Sequence, residues 1–315
     1  MDLIRVGVIR GGSNTSGYQK SISDGSIILR ALREHDNYEP YDILIDRDEV
    51  WHLDGVPIMP SNLTSLVDIV ISTIIYPLNQ NGYVENIMKV LGIKCIHVPN
   101  DALLGYIPDS LRKEIQSVGI RLPEFLEINP HDNDLPKKIH QKFSPPYSLV
   151  SKDLIGRVNH ISHVNNINEL FDLLNNEDFS SHKYILEEYI PGDKWAVTVM
   201  PNFRKSVWYT LHPFYLGTIN PAFRSGAKLS RSAEGRFASP AVRESLDLYS
   251  KLASGTINPS VPTTFVFHHI ENKKPVLFRI INRHILTDDE ELLSALRESV
   301  VSEGEYLDRI IKNYL

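Results

Sequence analysis

Apolar positions fall along the chain in two recurring patterns. Short β-branched runs at 4–12, 41–48, 67–76 and 94–98 read as buried strands, and the first ends in two glycines that mark a turn. Between them, 23–36 sets Ile27, Ile28, Ala31 and Leu32 on one helix face, with Ser23 or Asp24 as the N-cap. A second helix fits 84–93. This alternation is that of an open α/β sheet covered by helices, so residues 1–98 are expected to form an N-terminal α/β lobe.

Further along, a helix from 108 stops at Gly119 and runs into an extended segment to 128, and 131–138 reads as a loop. Strands are expected at 146–153 and 206–215, and two more within 183–200 about the turn Pro191–Gly192. Helices fit 166–174, 239–254 and 302–315, and the strands 263–270 and 275–282 lie between the last two. The acid-rich stretch 286–299 reads as a helix start that complements the helix dipole. The connection 216–238 is long and rich in Gly, Ser and Arg. Its Arg224, Lys228, Arg231 and Arg236 face only Glu234 in charge, so it reads as a lid over a ligand or as a solvated loop.

Composition narrows the class. A chain of 315 residues exceeds one simple core and implies two or three domains, and the alternation of strands and helices makes their class mixed α/β (α+β). A net charge of −6 offers no general basic face for nucleic acid. The single Cys95 excludes an intrachain disulfide, points to a reducing compartment, and reads as a small buried side chain in its β-like run. The start lacks a long apolar segment, and no run approaches the roughly 18 apolar residues of a membrane span, so a cytoplasmic protein without a membrane partner is expected.

Four stretches, in order, carry a resemblance. They are "VIRGGSNTSGYQKSISDGSIILRAL", "PYSLVSKDLIGRVNHISHVNNINELFDLL", "LEEYIPGDKWAVTVM" and "FRIINRHILTDDEELLSALRESVVSEGEYLDRII". Over nearly its whole length the chain resembles the D-alanine–D-alanine ligases of the ATP-grasp superfamily. The resemblance implies an ATP-grasp fold with an N-terminal lobe 1–98, a central lobe 99–192 and a C-terminal lobe 193–315. It also implies ATP clamped between the latter two, two magnesium ions and a homodimer. Lys152 and Gly156 would contact the nucleotide, and Arg112 or Lys113 would fall near a second ATP lysine. Glu187, or Glu188 beside it, would accept from the adenine amino group, and Asn282 would hold metal or phosphate.

The resemblance also implies losses. The metal-binding acids correspond to Ile280 and Thr264, and Arg279 adds positive charge beside the first. An oxyanion-supporting arginine corresponds to Pro262, a ribose-binding glutamate to Lys194, and a substrate-binding glutamate to Ser16 or nearby. The histidine of a substrate loop becomes Tyr76 or Pro77, and Arg157 and His160 intrude on the phosphate loop. Magnesium wants carboxylate oxygens, so this set argues against it. The histidines His160, His163, His268 and His269 have no zinc spacing and read as structural or exposed.

Three functional readings remain open at this point. The first is a pseudo-enzyme that binds a nucleotide or small molecule in the inter-lobe cleft. The second is an active, divergent carboxylate–amine ligase drawing metal ligands from Glu271, Asp288 or Asp289. The third is a scaffold for cell-wall (peptidoglycan) enzymes.

Overall fold

A computed structural model describes residues 3–12, 17–74, 82–97, 107, 109–129, 132, 134–153, 158–175, 182–219, 237–270, 273–283 and 285–315, with the backbone alone at 109, 152–153, 158–161, 182 and 218–219. The N-terminal lobe opens with β1 (Ile4–Gly11), α1 (Gly17–Arg33), β2 (Tyr38–Ile45), β3 (Trp51–Leu53), β4 (Val56–Pro57) and β5 (Ile69–Ser72). It continues with α2 (Tyr83–Val90) and β6 (Lys94–Ile96). The strands form one sheet in the order β4-β3-β2-β1-β5-β6, parallel through β2, β1, β5 and β6. Such strands are buried on both faces, which explains the continuous apolar runs. Helix α1 begins six residues before the expected start, so Ser23 and Asp24 lie inside it, not at its cap. The apolar stripe located the helix, but capping chemistry misplaced its end.

The central lobe holds an antiparallel sheet, β7-β10-β8-β9, built from β7 (Phe125–Ile128), β8 (Tyr147–Asp153), β9 (Val158–Val164) and β10 (His182–Glu188). Helices α4 (Leu135–Lys142) and α5 (Ile167–Asn175) close one face around Leu149, Leu170, Tyr184 and Leu186. Helix α4 starts inside the expected loop 131–138, because Leu135 and Ile139 bury one side of a segment whose polar residues otherwise read as coil.

The C-terminal sheet runs β12-β11-β14-β15, with β13 also on β11. Its strands are β11 (Gly192–Phe203), β12 (Ser206–Thr210), β13 (Phe214–Ile219), β14 (Thr263–His269) and β15 (Val276–Asn282). The expected strand 206–215 is thus two strands, broken at 211–213. Helices α3 (Asp109–Ser117) and α6 (Pro240–Ile257) pack on one face of this sheet, where Ile115, Leu246 and Tyr249 meet Trp195, Val197, Phe265 and Phe267. Residues 107–122 therefore share the core of the C-terminal sheet.

Helices α7 (Glu290–Glu298) and α8 (Glu303–Ile311) dock on α1 through a core that includes Ile28, Leu32, Leu292, Tyr306 and Ile310. Ser302 caps α8, its hydroxyl accepting from Glu305 N at 3.0 Å while the Glu305 carboxylate accepts from Ser302 N. Among the described residues no helix is long and apolar enough to cross a membrane.

Candidate functional site

The central and C-terminal sheets meet through an ion pair between Glu187 and Arg279, and strand alternation decides which side chains each turns to that shared side, the cleft side of the expected fold. On β10, Tyr184 and Leu186 point into the lobe core, so Ile185 and Glu187 point the other way. On β11, Trp195, Val197 and Val199 point to α6, leaving Lys194, Ala196 and Thr198 on the cleft side. Gly192 makes the turn between the sheets at φ +119°, and a Cβ there would lie 2.5 Å from the His269 carbonyl oxygen. Glycine is the residue that this approach admits.

Strand β15 carries the decisive irregularity. Val266 pairs with Arg279, but Phe267 pairs with Leu277, so Phe278 is an extra bulged residue. Phe278 and Arg279 consequently share the cleft side. The Phe278 ring stacks on His268 at 4.5 Å, and the Arg279 guanidinium lies 4.0 Å from the same ring centroid. Arg279 forms a two-point ion pair with Glu187 across the cleft, at 3.2 and 3.0 Å. Both partners are buried, with side-chain exposures of 12% and 4%.

Ile280 faces the other way. It pairs with Phe265 and packs against the core under α6, so the position expected to hold an acid is turned from the cleft. Thr264 does face the cleft, bonded to Thr198 at 2.8 Å and to Arg283 Nε at 3.1 Å. Asn282 is exposed at the end of β15, and its amide oxygen accepts from the Thr263 hydroxyl at 3.0 Å.

A second charged group lies where α1 and α7 meet this strand end. Arg283 pairs with Asp289 at 2.7 Å, and Lys20 bridges Asp24 at 2.8 Å and Asp289 at 3.3 Å. Asp288 accepts from the Ser23 hydroxyl, and its backbone N–H donates to Asp24 at 2.6 Å. Burial would raise the Asp289 carboxyl, but the Thr287 hydroxyl, Arg283 and Lys20 outweigh it and hold it low. Burial raises Asp24 despite its Lys20 partner. Glu291 is also raised, mainly by burial, with Arg283 acting against that at 3.9 Å.

The remaining expected residues are placed as follows. Glu188 is partly buried away from the cleft side, paired with Arg121 and accepting from the Glu124 backbone N–H. Arg112 is buried in α3, donating to the Pro123 carbonyl and lying 4.6 Å from the Phe125 ring centroid, while Lys113 is exposed. Lys152 lies on β8 opposite Lys183. Gly156, the lid residues Arg224, Lys228, Arg231 and Arg236, and Ser16, Tyr76, Pro77, Arg157 and Glu271 fall outside the described residues, as does the His160 side chain. Cys95 is half-buried, with its thiol pushed up to about 12 chiefly by burial.

Solved structures share this fold. The D-Ala:D-Ser ligase VanG of Enterococcus faecalis superposes with a TM-score of 0.74 at 16% identity, covering 100% of both chains. The D-alanyl-alanine synthetase A of Vibrio cholerae gives 0.71 at 13% identity, covering 100% of this chain and 99% of its own. The fold is the ATP-grasp fold of the D-alanine–D-alanine ligases. The Bacillus anthracis ligase solved in complex with ATP gives 0.66 at 17% identity, covering 100% and 97%. No protein-family model and no curated protein sequence matches the chain.

Within that ligase fold, the cleft fits magnesium poorly. A hard dication needs carboxylate oxygens left free for it. The carboxylates near the end of β15 are already engaged by Arg279, Arg283, Lys20 or Ser23. Among the described residues, no three His, Cys, Asp or Glu side chains converge on a metal position.

Sequence reasoning did not foresee the Glu187–Arg279 pair, the buried His268 or the Arg283–Asp289 link. A two-residue count along β15 places Arg279 correctly only if the bulge at Phe278 is known, and nothing in "PVLFRIIN" announces it.

Proposed function

We propose that this chain is a catalytically inactive counterpart of the D-alanine–D-alanine ligases that acts by binding a nucleotide or other small molecule between its central and C-terminal lobes. One observation carries the reading. The carboxylates around the end of β15 are held by cations or a hydroxyl of the chain itself, and Arg279 occupies Glu187 with both guanidinium nitrogens. Phosphoryl transfer to a carboxylate needs cationic charge that is free to follow the transferred group. Here Arg279 and Arg283 are internally neutralised, and the acids that would recruit magnesium are neutralised by them.

The nucleotide to test is ATP, since the Bacillus anthracis ligase with this fold was solved in complex with ATP, and Lys152 is the residue that the resemblance implies would contact it. The reading takes the protein as cytoplasmic and homodimeric, as the resemblance implies. It also makes the Asp288 and Asp289 pair structural, holding α7 to α1, in place of a divergent metal site.

The test is ADP formation from ATP and magnesium, in the presence of paired D- and L-amino acids, alongside calorimetric titration with ATP with and without magnesium. The expected result is no ADP above the protein-free rate, and any ATP affinity independent of magnesium. Magnesium-dependent ADP formation stimulated by an amino-acid pair would overturn the reading.

A further inference from the structure

Three polar groups meet the junction of the two cleft sheets without a hydrogen-bond partner among the described residues. The Tyr189 hydroxyl and His268 Nε2 are buried and unbonded. Lys194 is partly buried, its ammonium lies 5.8 Å from the Phe278 ring centroid, and its charged neighbours act on it at a distance, with no hydrogen bond among the described residues. Lys194 and His268 are direct partners on β11 and β14, so their side chains share the cleft side. Tyr189 precedes the Pro191–Gly192 turn, and its ring meets His163 edge-on at 5.4 Å. Buried unsatisfied polar atoms are uncommon in folded proteins, and several in one place point to a missing ligand.

The charges select its sign. Lys194 and Arg279 are two cations on this side; Glu187 is bonded to Arg279, and Glu291 and Glu187 reach Lys194 only at a distance, so among the described residues no carboxylate is bonded to the Lys194 ammonium. Water could satisfy a hydroxyl or an imidazole nitrogen, but it cannot neutralise a buried ammonium. Burial, and then Arg279, lowers the Lys194 pKa, and the distant Glu291 and Glu187 do not offset them.

The tautomer of His268 selects the chemistry. Its Nδ1 lies 2.9 Å from the Ile190 carbonyl oxygen, an acceptor, so Nδ1 carries the proton. Burial lowers the pKa of this imidazole to about 4, which leaves the ring neutral and Nε2 with a free lone pair. The missing ligand must therefore accept from an ammonium and also donate to an imidazole. Hydrogen phosphate does both near neutral pH, whereas sulfate and carboxylates carry no proton to give.

We propose that Lys194, Tyr189 and His268 form a phosphate-group site, with Lys194 Nζ and the Tyr189 hydroxyl donating to its oxygens and His268 Nε2 accepting from its P–OH. The site lies on the C-terminal sheet and the inter-sheet turn, apart from Lys152 on β8, and it rests on the reading of the cleft as a binding site. The phosphate group could come from free phosphate or from a nucleotide.

The experiment titrates the full chain at pH 7 with inorganic phosphate, sulfate, ADP and adenosine, and follows the His268 ring by its nitrogen NMR shifts. Saturable phosphate binding is expected, with sulfate at least ten-fold weaker and the His268 Nε2 signal moving with phosphate occupancy. Lys194→Ala should weaken phosphate binding at least ten-fold, and the conservative Tyr189→Phe should weaken it less. Competition between ADP and phosphate, with adenosine inert, would make a nucleotide the source, whereas ADP failing to compete would make it free phosphate. The site is overturned if phosphate does not bind, if sulfate binds equally well, or if Lys194→Ala leaves phosphate affinity unchanged. ADP formation from ATP is not measured here, so failure of this site is separable from failure of the inactive-ligase reading.

Discussion

Arg279 on β15 and Glu187 on β10 meet across the cleft in a bidentate, buried ion pair that ties the central sheet to the C-terminal sheet. Neither residue reaches its partner through local sequence, since 92 positions separate them. The pair gives the two sheets a fixed internal contact.

Breaking that pair from one side should destabilise the protein strongly. Glu187→Ala or Arg279→Ala leaves a buried charge without compensation, which typically costs about 3–5 kcal/mol. The double replacement Glu187→Leu with Arg279→Met should recover most of that loss, because both buried charges disappear together. Urea denaturation of the three variants checks this, and equal losses for single and double variants would contradict it.

Acidification should weaken the fold through His268. Its folded pKa is lowered from 6.5 to about 4, by burial first, so the unfolded chain takes up the proton earlier as pH falls. The neutral-histidine contribution is therefore complete above about 6.5 and is lost as pH drops toward 4. His163 and His212, also lowered mainly by burial, act in the same direction. Denaturation midpoints at pH 7.5 and 5 should differ for the wild type, and His268→Gln should reduce that difference.

An acid installed at Ile280 should not build a metal site. Ile280 packs against the core under α6, so Ile280→Glu places a carboxyl among apolar side chains, where its charged form is strongly disfavoured and the group stays protonated. Ile281 pairs with Thr264 and lies on the cleft side. Ile281→Glu with Thr264→Asp is therefore the combination expected to gain magnesium affinity. Calorimetric titration with magnesium separates the two, and a gain for Ile280→Glu would refute the assigned register.

Tyr306 offers a substitution with the opposite sign. It is fully buried in α8, and its hydroxyl has no partner among the described residues. Tyr306→Phe removes an unsatisfied polar atom and keeps the ring, so stability should be unchanged or raised by up to about 1–2 kcal/mol. Thermal unfolding checks this, and a marked loss would show that the hydroxyl is bonded after all.

Periodicity in the sequence located most of the fold. The apolar runs of the first lobe became β1, β2, β5 and β6, and the 3.6-residue stripe of Ile27, Ile28, Ala31 and Leu32 became the buried face of α1. These features are legible because burial on one face imposes a period on the chain itself. The order of four local patterns also pointed to the ligase fold, although at 13–17% identity the sequence retains little beyond that order. Helix α4 and the break at 211–213 were not legible, because both depend on what packs against them.

The cleft was decided by tertiary structure. The sequence showed Glu187, Arg279, Lys194 and His268 as separate letters, and it suggested that acids had been lost. It could not show that a bulge at Phe278 turns Arg279 onto Glu187 and Ile280 away. Nor could it show that the Ile190 carbonyl fixes the His268 tautomer from 78 positions away. Local sequence carries the period of burial, but which charges meet depends on the register and irregularity of strands paired over long range. Those two quantities exist only once the sheets have formed.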